Sequence, residues 1–417
     1  MTNQFDNNFK INYEMSDNSN ILKKLKFIEE EQIRIQKEIP NRPSNISFFE
    51  SLMYDDKIRL KTDGPRVGYY CNIIPEEIIL AFGAVPIRLD CGNNVAASTG
   101  EEIFAGDICP LAKASVGNML YKNSLANSCD LLIVPTSCDA KRKMGEVLND
   151  FKPTFMLNLP CEQNHEAYIK QSVKELYKLI KFLETHLKKK LSSKLLRAAV
   201  GLTQQRTILM RKLHEEKIQK PNSISIRDIF LIIQSAQFRP FDLNQWLKEA
   251  EKTVNELTNF IPNKKSLKPK LILTGAPIVW PNFKILNLIE ESGANIVSDT
   301  LCSGMQSVYD PITSGEKSTN SILYALANRY IYAAICPCFI SQTTRINRIL
   351  ELVDESSANG VINYSLRLCQ LFDIENYRNE KILKSKKIPY LNIRTDYSLE
   401  DKEQLRVRIE AFLETLY

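Results

Sequence analysis

Cysteine is the residue type of this chain best suited to chemistry, because ten cysteines accompany only three histidines among 417 residues. Thiolate is the ligand of zinc, copper(I) and iron–sulfur sites. With so few histidines and no Cys-x-x-Cys pair, an iron–sulfur centre fits the sequence better than a zinc ribbon. We interpret seven cysteines in two halves of the chain as candidate cluster ligands: Cys71, Cys109, Cys138, Cys302, Cys336, Cys338 and Cys369.

Cys336 and Cys338 flank a proline in AAICPCFISQTTR, directly after an apolar run that predicts a buried strand. They could form a redox pair, but two ligands of one cluster, or one ligand and a neighbour, fit the other thiols better. Structural disulfides are not expected in a chain without signs of secretion. Cys91, Cys129 and Cys161 are interpreted as residues that fill apolar space or lie in loops.

Most of the candidate thiols follow short apolar runs, as in VGYYC, LLIVPTSC, ANIVSDTLC, YAAIC and VINYSLRLC, whereas Cys109 begins a helix. Side chains just beyond the carboxyl ends of parallel strands line the functional crevice of α/β sheets. Helix N-termini also carry partial positive charge, which favours thiolate. We therefore expect these thiols to face one another across a cleft between two halves of the molecule.

The pattern of apolar runs predicts an α/β fold. RVGYYCNIIPEEIILAFGAVPIRL reads as strand, turn, helix and strand, and CDLLIVPTS and PTFMLNLP read as further buried strands. A second alternation pairs LILTGAP, ANIVSD, YAAIC, GVINYSL and IPYLNIR each with a following helix. We predict two Rossmann/flavodoxin-like parallel-sheet domains with a helical segment between them and an N-terminal helical extension.

The predicted domain boundaries follow changes in this pattern. Residues 1–65 form a polar tail and helices, and residues 66–163 form the first α/β domain. Residues 164–265 carry long amphipathic helices such as EAYIKQSVKELYKLIKFLETHLKKK, and residues 266–417 form the second α/β domain.

Composition narrows the class of protein. The net charge of +6 is modest and its lysines are scattered along helices, so we expect no nucleic-acid partner. The N-terminus lacks the basic-then-apolar order of a signal peptide, and no apolar stretch is long enough for a bilayer. We therefore expect a cytoplasmic protein that does not bind membranes.

Six separated motifs resemble one family in its own order: GYYCNIIPEEIILAFGAVPIRL, ICPLAKASVG, VPTSCDAKRKMGEVL, LILTGAPI, SDTLCSG and RLCQLFDIENYRNEKILKSKKIPYLNIRTDYS. They are similar to 2-hydroxyacyl-CoA dehydratase and benzoyl-CoA reductase subunits from about residue 66 to the C-terminus. TSCDAKRKM and the Cys-x-Cys motif resemble most closely the double-cubane cluster branch. That resemblance implies that Cys71, Cys109 and Cys369 hold one [4Fe–4S] cubane, and that three of the other four thiols hold a second in an [8Fe–9S] cofactor.

The resemblance also implies an activity and partners. It implies an anaerobic, low-potential iron–sulfur oxidoreductase that is a homodimer and reduces a small or CoA-linked substrate. An ATP-hydrolysing iron–sulfur activator would supply the electrons, and that activator must be a separate protein because this chain has no GxxxxGK[ST] motif.

Two departures from the family pattern keep other interpretations open. Ala276 stands where LTGAPI usually has a cysteine, and YKNSLANS lacks the Cys-Pro that often occurs in the double-cubane branch. The alternatives are a one-cubane [4Fe–4S] subunit of a heterodimeric 2-hydroxyacyl-CoA dehydratase, which is a lyase, and a scaffold or assembly protein that has lost its cluster.

Charged residues near the motifs have two interpretations each. Glu76 and Glu77 begin a helix beside Cys71, where they either stabilise the helix dipole or supply a catalytic proton. His165 begins a helix and is interpreted as a capping or surface residue.

Overall fold

The computed structural model describes residues 19–54, 64–121, 124–163, 166–238, 242–262, 267–313, 318–340 and 343–416. The first half contains helices and strands in the order α1 (Ser19–Lys37), α2 (Ile46–Tyr54), β1 (Arg66–Tyr69), α3 (Glu76–Ala81), β2 (Val85–Arg88), α4 (Asn94–Gly100), α5 (Pro110–Met119), β3 (Leu131–Pro135), α6 (Asp139–Phe151) and β4 (Thr154–Leu157).

Four helices follow the first sheet. They are α7 (Glu166–Leu187), α8 (Ser193–Gln219), α9 (Ile226–Ser235) and α10 (Leu243–Thr258). The second half contains β5 (Lys270–Gly275), α11 (Lys284–Glu291), β6 (Asn295–Asp299), α12 (Gln306–Tyr309), α13 (Thr319–Ala327), a π-helix (Asn328–Tyr332), α14 (Thr344–Ser356), β7 (Gly360–Leu366), α15 (Gln370–Ser385), β8 (Tyr390–Thr395) and α16 (Lys402–Glu414).

The two halves contain sheets of the same topology. The strand orders are β2-β1-β3-β4 and β6-β5-β7-β8, and every pair is parallel. Strands β3, β6 and β7 are buried along their whole length, as expected when helices cover both faces of a parallel sheet. The predicted α/β class is confirmed, while the domain boundaries stay a prediction.

The halves meet through close backbone contact near the cleft. The Gly92 amide donates to the Trp280 carbonyl at 3.1 Å, and a side chain at Gly92 would collide with the Val279 carbonyl. Gly275, at the end of β5, adopts φ +117° beside the Tyr364 backbone, a conformation that favours glycine. The Gly92 contact joins the two halves, whereas the Gly275 contact joins neighbouring strands of the second sheet.

The predicted strand at YAAIC is wrong. Residues 328–332 form a π-helix, and a turn follows up to Cys338. Side chains take the place of a neighbouring strand, since Gln163 Nε2 donates to the Ala334 carbonyl at 2.7 Å and Arg345 donates to the Ile335 carbonyl. Cys336 therefore approaches the cleft from a turn after a π-helix, a form of helix that is frequent at functional sites.

Within the described residues, no helix combines the length and apolar character that crossing a bilayer requires.

Candidate metal centre

Two candidate thiols flank the switch point of the first sheet. The chain runs outward from β1 to β2 and then returns to β3, so the strand order reverses between β1 and β3. Cys71 follows β1 and Cys138 follows β3, where Cys138 caps the N-terminus of α6 and accepts the Lys141 amide at 3.4 Å. Crevices at such switch points are the usual ligand sites of open α/β sheets.

The second sheet has its own switch point, between β5 and β7. Cys369 follows β7 and precedes α15 directly, and Cys302 follows the edge strand β6. Ala276 follows β5 and is fully buried. This switch point therefore has a thiol on one side and the methyl group of Ala276 on the other.

Cys109 and Cys369 form a thiol pair across the cleft. A hydrogen bond from the Cys369 thiol, helped by the Leu111 and Ala112 amides at the start of α5, lowers the pKa of Cys109 to about 7. The same bond and burial raise the pKa of Cys369, which keeps its proton. Thiols of sequence-distant halves are thus in direct contact.

Cys336 and Cys338 form a second pair. A hydrogen bond from the Cys338 thiol, together with the Cys338 amide and nearby Arg345, lowers the pKa of Cys336 to about 7. The pKa of Cys338 is raised by its bond to Cys336 and by burial. Each pair therefore holds one thiol that is partly ionised at neutral pH.

Electrostatic contacts connect these pairs to the remaining thiols. Burial raises the pKa of Cys138, and the thiolates of Cys109 and Cys336 raise it further. Burial likewise raises the pKa of Cys302 to about 12, with contributions from Cys71 and Cys336. All seven predicted ligands therefore lie in one neighbourhood where the halves meet.

A buried charge network borders this neighbourhood. Asp90 Oδ2 accepts the Cys71 amide at 2.9 Å and Arg88 Nε at 2.7 Å, and Asp90 Oδ1 accepts Lys141 Nζ at 3.3 Å. Burial opposes ionisation of Asp90, but Lys141 and Arg88 hold its pKa at about 2. Arg88 Nη1 also donates to the Cys302 carbonyl at 2.9 Å. Two cations and one carboxylate leave net positive charge beside the thiols.

The backbone is strained at one candidate thiol, Cys71, and at the residue directly before another, Cys369. Cys71 has φ +75° and Leu368, just before Cys369, has φ +64°, both in the left-handed region that disfavours such side chains. Strain of this kind costs about 1–3 kcal/mol per residue and concentrates at functional sites. The hydrogen bond from the Cys71 amide to Asp90 stabilises this strained conformation. The strain indicates that the position of the Cys71 thiol matters for function.

Glu76 and Glu77 have different environments. Glu76 is ion-paired with Arg206, and both side chains are buried. Glu77 is fully buried, accepts Thr203 Oγ1 at 2.8 Å and the Tyr330 hydroxyl at 3.0 Å, and leaves Oε2 without a partner among the described residues. Burial, followed by the charge of Glu76, raises the pKa of Glu77. The raised pKa of Glu77 favours its protonated form.

The three cysteines interpreted as non-ligands have different environments. Cys129 is fully buried in the core, Cys161 is exposed, and Cys91 lines a cavity together with Arg88 and Asp90. His165 lies outside the described residues.

Sequence reasoning missed Arg88 and Asp90. Their only signal is a charged pair that closes the apolar run AVPIRLD. It also missed Tyr330, which lies in the π-helix next to the run YAAIC that the sequence predicts as a strand.

The donor set suits an iron–sulfur cluster. None of the ten cysteines forms a disulfide, and no three His, Cys, Asp or Glu side chains in the described ranges are grouped tightly enough for a single metal ion. Cluster ligands bind different irons, so their sulfurs stand further apart than ligands of one ion. Seven thiols beside net positive charge fit such a group, provided that the two hydrogen-bonded pairs open when it is present.

Comparison with known proteins gives one family. The family model of the 2-hydroxyglutaryl-CoA dehydratase D-component matches residues 71–416, which contain all seven thiols.

Individual relatives extend over most of the chain. YjiM of Escherichia coli (strain K12), a protein named as a dehydratase subunit, is 29% identical over 84% of this chain and 91% of its own length. The (R)-phenyllactyl-CoA dehydratase beta subunit of Clostridium sporogenes is 24% identical over 85% of this chain and 93% of its own length. One of the benzoyl-CoA reductase subunits of Thauera aromatica is 19% identical over 84% of this chain and 90% of its own length.

Proposed function

The chain belongs to the 2-hydroxyglutaryl-CoA dehydratase D-component family, and we propose that it is the iron–sulfur component of a low-potential reductase of the double-cubane type. The family consists of dehydratase and reductase subunits, as the names of the relatives indicate. The proposal adds the cofactor, the electron donor and the direction of the reaction for this chain.

One observation carries the proposal: thiols from both halves and from both sheets share a single neighbourhood. We assign Cys71, Cys109 and Cys369 to one [4Fe–4S] cubane, and three of Cys138, Cys302, Cys336 and Cys338 to a second. When bound, such a cofactor stores and donates electrons at low potential.

The chain's own residues would support this chemistry in two ways. Lys141 and Arg88 offset thiolate charge, which several sulfurs in a buried site would otherwise accumulate. The Tyr330 hydroxyl is bonded to Glu77, and Tyr330 lines a cavity of about 20 Å³ together with Cys302 and Cys336. That space is about the size of one water molecule, so Glu77 and Tyr330 can hold a proton where a small substrate atom would sit.

The proposed partners follow from the sequence. Electrons would come from an ATP-hydrolysing iron–sulfur activator, a separate protein because this chain contains no P-loop motif. We propose a cytoplasmic homodimer that acts under anaerobic conditions on a small or CoA-linked substrate.

A second function is favoured by the relatives' names. One of the relatives, from Clostridium sporogenes, is named as the beta subunit of a dehydratase, so this chain would be one half of a heterodimeric 2-hydroxyacyl-CoA dehydratase with one [4Fe–4S] cubane. The methyl group of Ala276, beside the second switch point, is consistent with fewer ligands.

Iron and acid-labile sulfide content of anaerobically purified protein separates these functions. The double-cubane type predicts about eight irons per chain and a homodimer, whereas the dehydratase type predicts about four and a requirement for a second gene product. Cys336→Ser and Cys338→Ser should each lower the iron content if the pair holds iron. Exposed Cys161→Ser is the matched control and should not. Colourless protein without iron would overturn both functions and indicate a scaffold.

A further inference from the structure

A cavity of about 430 Å³ lies between helix α1 and the first α/β half. Its volume falls in the range of about 300–1,000 Å³ that is usual for small-molecule sites. Helix α1 precedes residue 71, where the match to the family begins, so family membership does not assign this cavity.

The wall of the cavity is largely apolar. It includes Leu22 and Leu25 of α1, Leu89 after β2, and the aromatic rings of Phe238 and Trp280. Leu89 and Trp280 are almost fully buried. A ligand that fills this space needs a hydrocarbon or aromatic group to match that wall.

The rim of the cavity carries positive charge. Lys23 and Lys26 of α1 line it and are exposed, whereas Glu29 contributes the acid on the same helix face. Asn118 also lines the cavity. A ligand with an anionic head would therefore meet a helix face of net positive charge, with two lysines and one glutamate.

The inner end of the cavity borders the thiol neighbourhood. Arg88 and Asp90 are both nearly fully buried and line it, and they also contact the Cys302 carbonyl and the Cys71 amide. The Arg88 guanidinium also stacks on the Phe238 ring at 5.0 Å. A bound ligand would thus lie one side chain away from two of the proposed cluster ligands.

We propose that this cavity binds a small organic carboxylate with an apolar or aromatic group. Its carboxylate lies near Lys23 and Lys26, and its apolar part lies against Leu89, Phe238 and Trp280. This binding goes beyond the proposed function and does not require iron in the thiol neighbourhood.

The test uses phenylacetate as the probe and the purified full-length protein. Trp280 and Trp246 are the only tryptophans, so Trp246→Phe leaves Trp280 as the reporter of cavity occupancy. We expect saturable quenching by phenylacetate, and about tenfold weaker binding for Lys23→Ala/Lys26→Ala, because the change removes two exposed cations that would attract the carboxylate. Lys24→Ala is the matched control, since Lys24 lies on the same helix, is exposed and does not line the cavity.

Other outcomes would overturn the proposal. These are no saturable signal, equal binding of neutral phenylacetamide, equal weakening by Lys24→Ala, or competition by inorganic phosphate at equal concentration. Calorimetric titration of the protein with both tryptophans intact repeats the test without the Trp246→Phe change, because Trp246 is buried and donates to Ser235 Oγ at 2.9 Å. Iron-loaded and iron-free protein should bind phenylacetate alike, so failure of this proposal is distinct from failure of the proposed function.

Discussion

The Cys369 thiol, which follows a strand of the second sheet, donates a hydrogen bond to the Cys109 sulfur at the start of a helix in the first half. This contact brings together residues that lie far apart in the sequence. It also leaves Cys109 partly ionised at neutral pH, with a pKa of about 7, as a metal ligand or a disulfide partner requires.

Mild oxidation of iron-free protein should therefore join Cys109 to Cys369. The two sulfurs are already in contact, and one of them is the nucleophilic thiolate. Peptide mass spectrometry without reduction should find this cross-link, and a non-reducing gel should show a faster-moving band. Cys369→Ser should abolish the band and Cys161→Ser should keep it. A cross-link from Cys109 to some other cysteine would contradict the geometry.

Glu76→Gln should destabilise the protein by about 3–5 kcal/mol, because it leaves the buried Arg206 cation without its counter-charge. Chemical denaturation measures the loss. The control is Glu146→Gln, which breaks an exposed pair with Lys143 and should change the free energy of unfolding by no more than about 1 kcal/mol. Equal effects of the two changes would show that the Glu76 pair is not buried as described.

Tyr330→Phe should lower turnover of iron-loaded protein by about 10²–10⁴, the usual effect of losing a general acid or base. The change removes the hydroxyl that joins Glu77 to the small cavity lined by Cys302 and Cys336. Turnover is measured with activator and ATP, and iron content should stay the same. Tyr332→Phe, which alters an exposed neighbour, is the control. Full activity in Tyr330→Phe would show that Glu77 and Tyr330 do not supply a proton to the reaction.

The protein should lose stability between pH 6.5 and pH 4 through His214. Burial lowers the pKa of His214 from 6.5 to about 4, so the unfolded state binds its proton first as the pH falls. Its contribution is complete above pH 6.5 and is lost on the way down to pH 4. Between pH 7 and pH 5 the loss is about 2 kcal/mol.

Denaturation curves of the natural protein and of His214→Gln at those two pH values isolate this effect. The variant should lack about 2 kcal/mol of the pH-dependent loss. Parallel losses in both proteins would mean that other buried groups dominate.

The local pattern of apolar and turn residues was sufficient to predict most of the strands and helices. Strands such as 131–135 and 360–366 are largely apolar runs bounded by turn residues, and their burial on both faces explains that pattern. YAAIC has a similar composition but forms a π-helix and a turn, because Gln163 and Arg345 satisfy carbonyls that a neighbouring strand would otherwise bond. A partner 171 residues away, such as Gln163 for Ala334, cannot be predicted from local periodicity.

The sequence by itself determined the class of fold and the family, and it predicted the seven candidate thiols, since all of these depend on residue types and on their order along the chain. Only the tertiary structure decided which thiols pair, that Glu76 is an ion-pair partner while Glu77 faces Tyr330, and that Arg88, Asp90 and Lys141 border the centre. These relationships join residues from different strands and helices, and electrostatic effects on a pKa depend on distance in space. Residue spacing along the chain does not give these distances, because they are set only when the two sheets pack against each other.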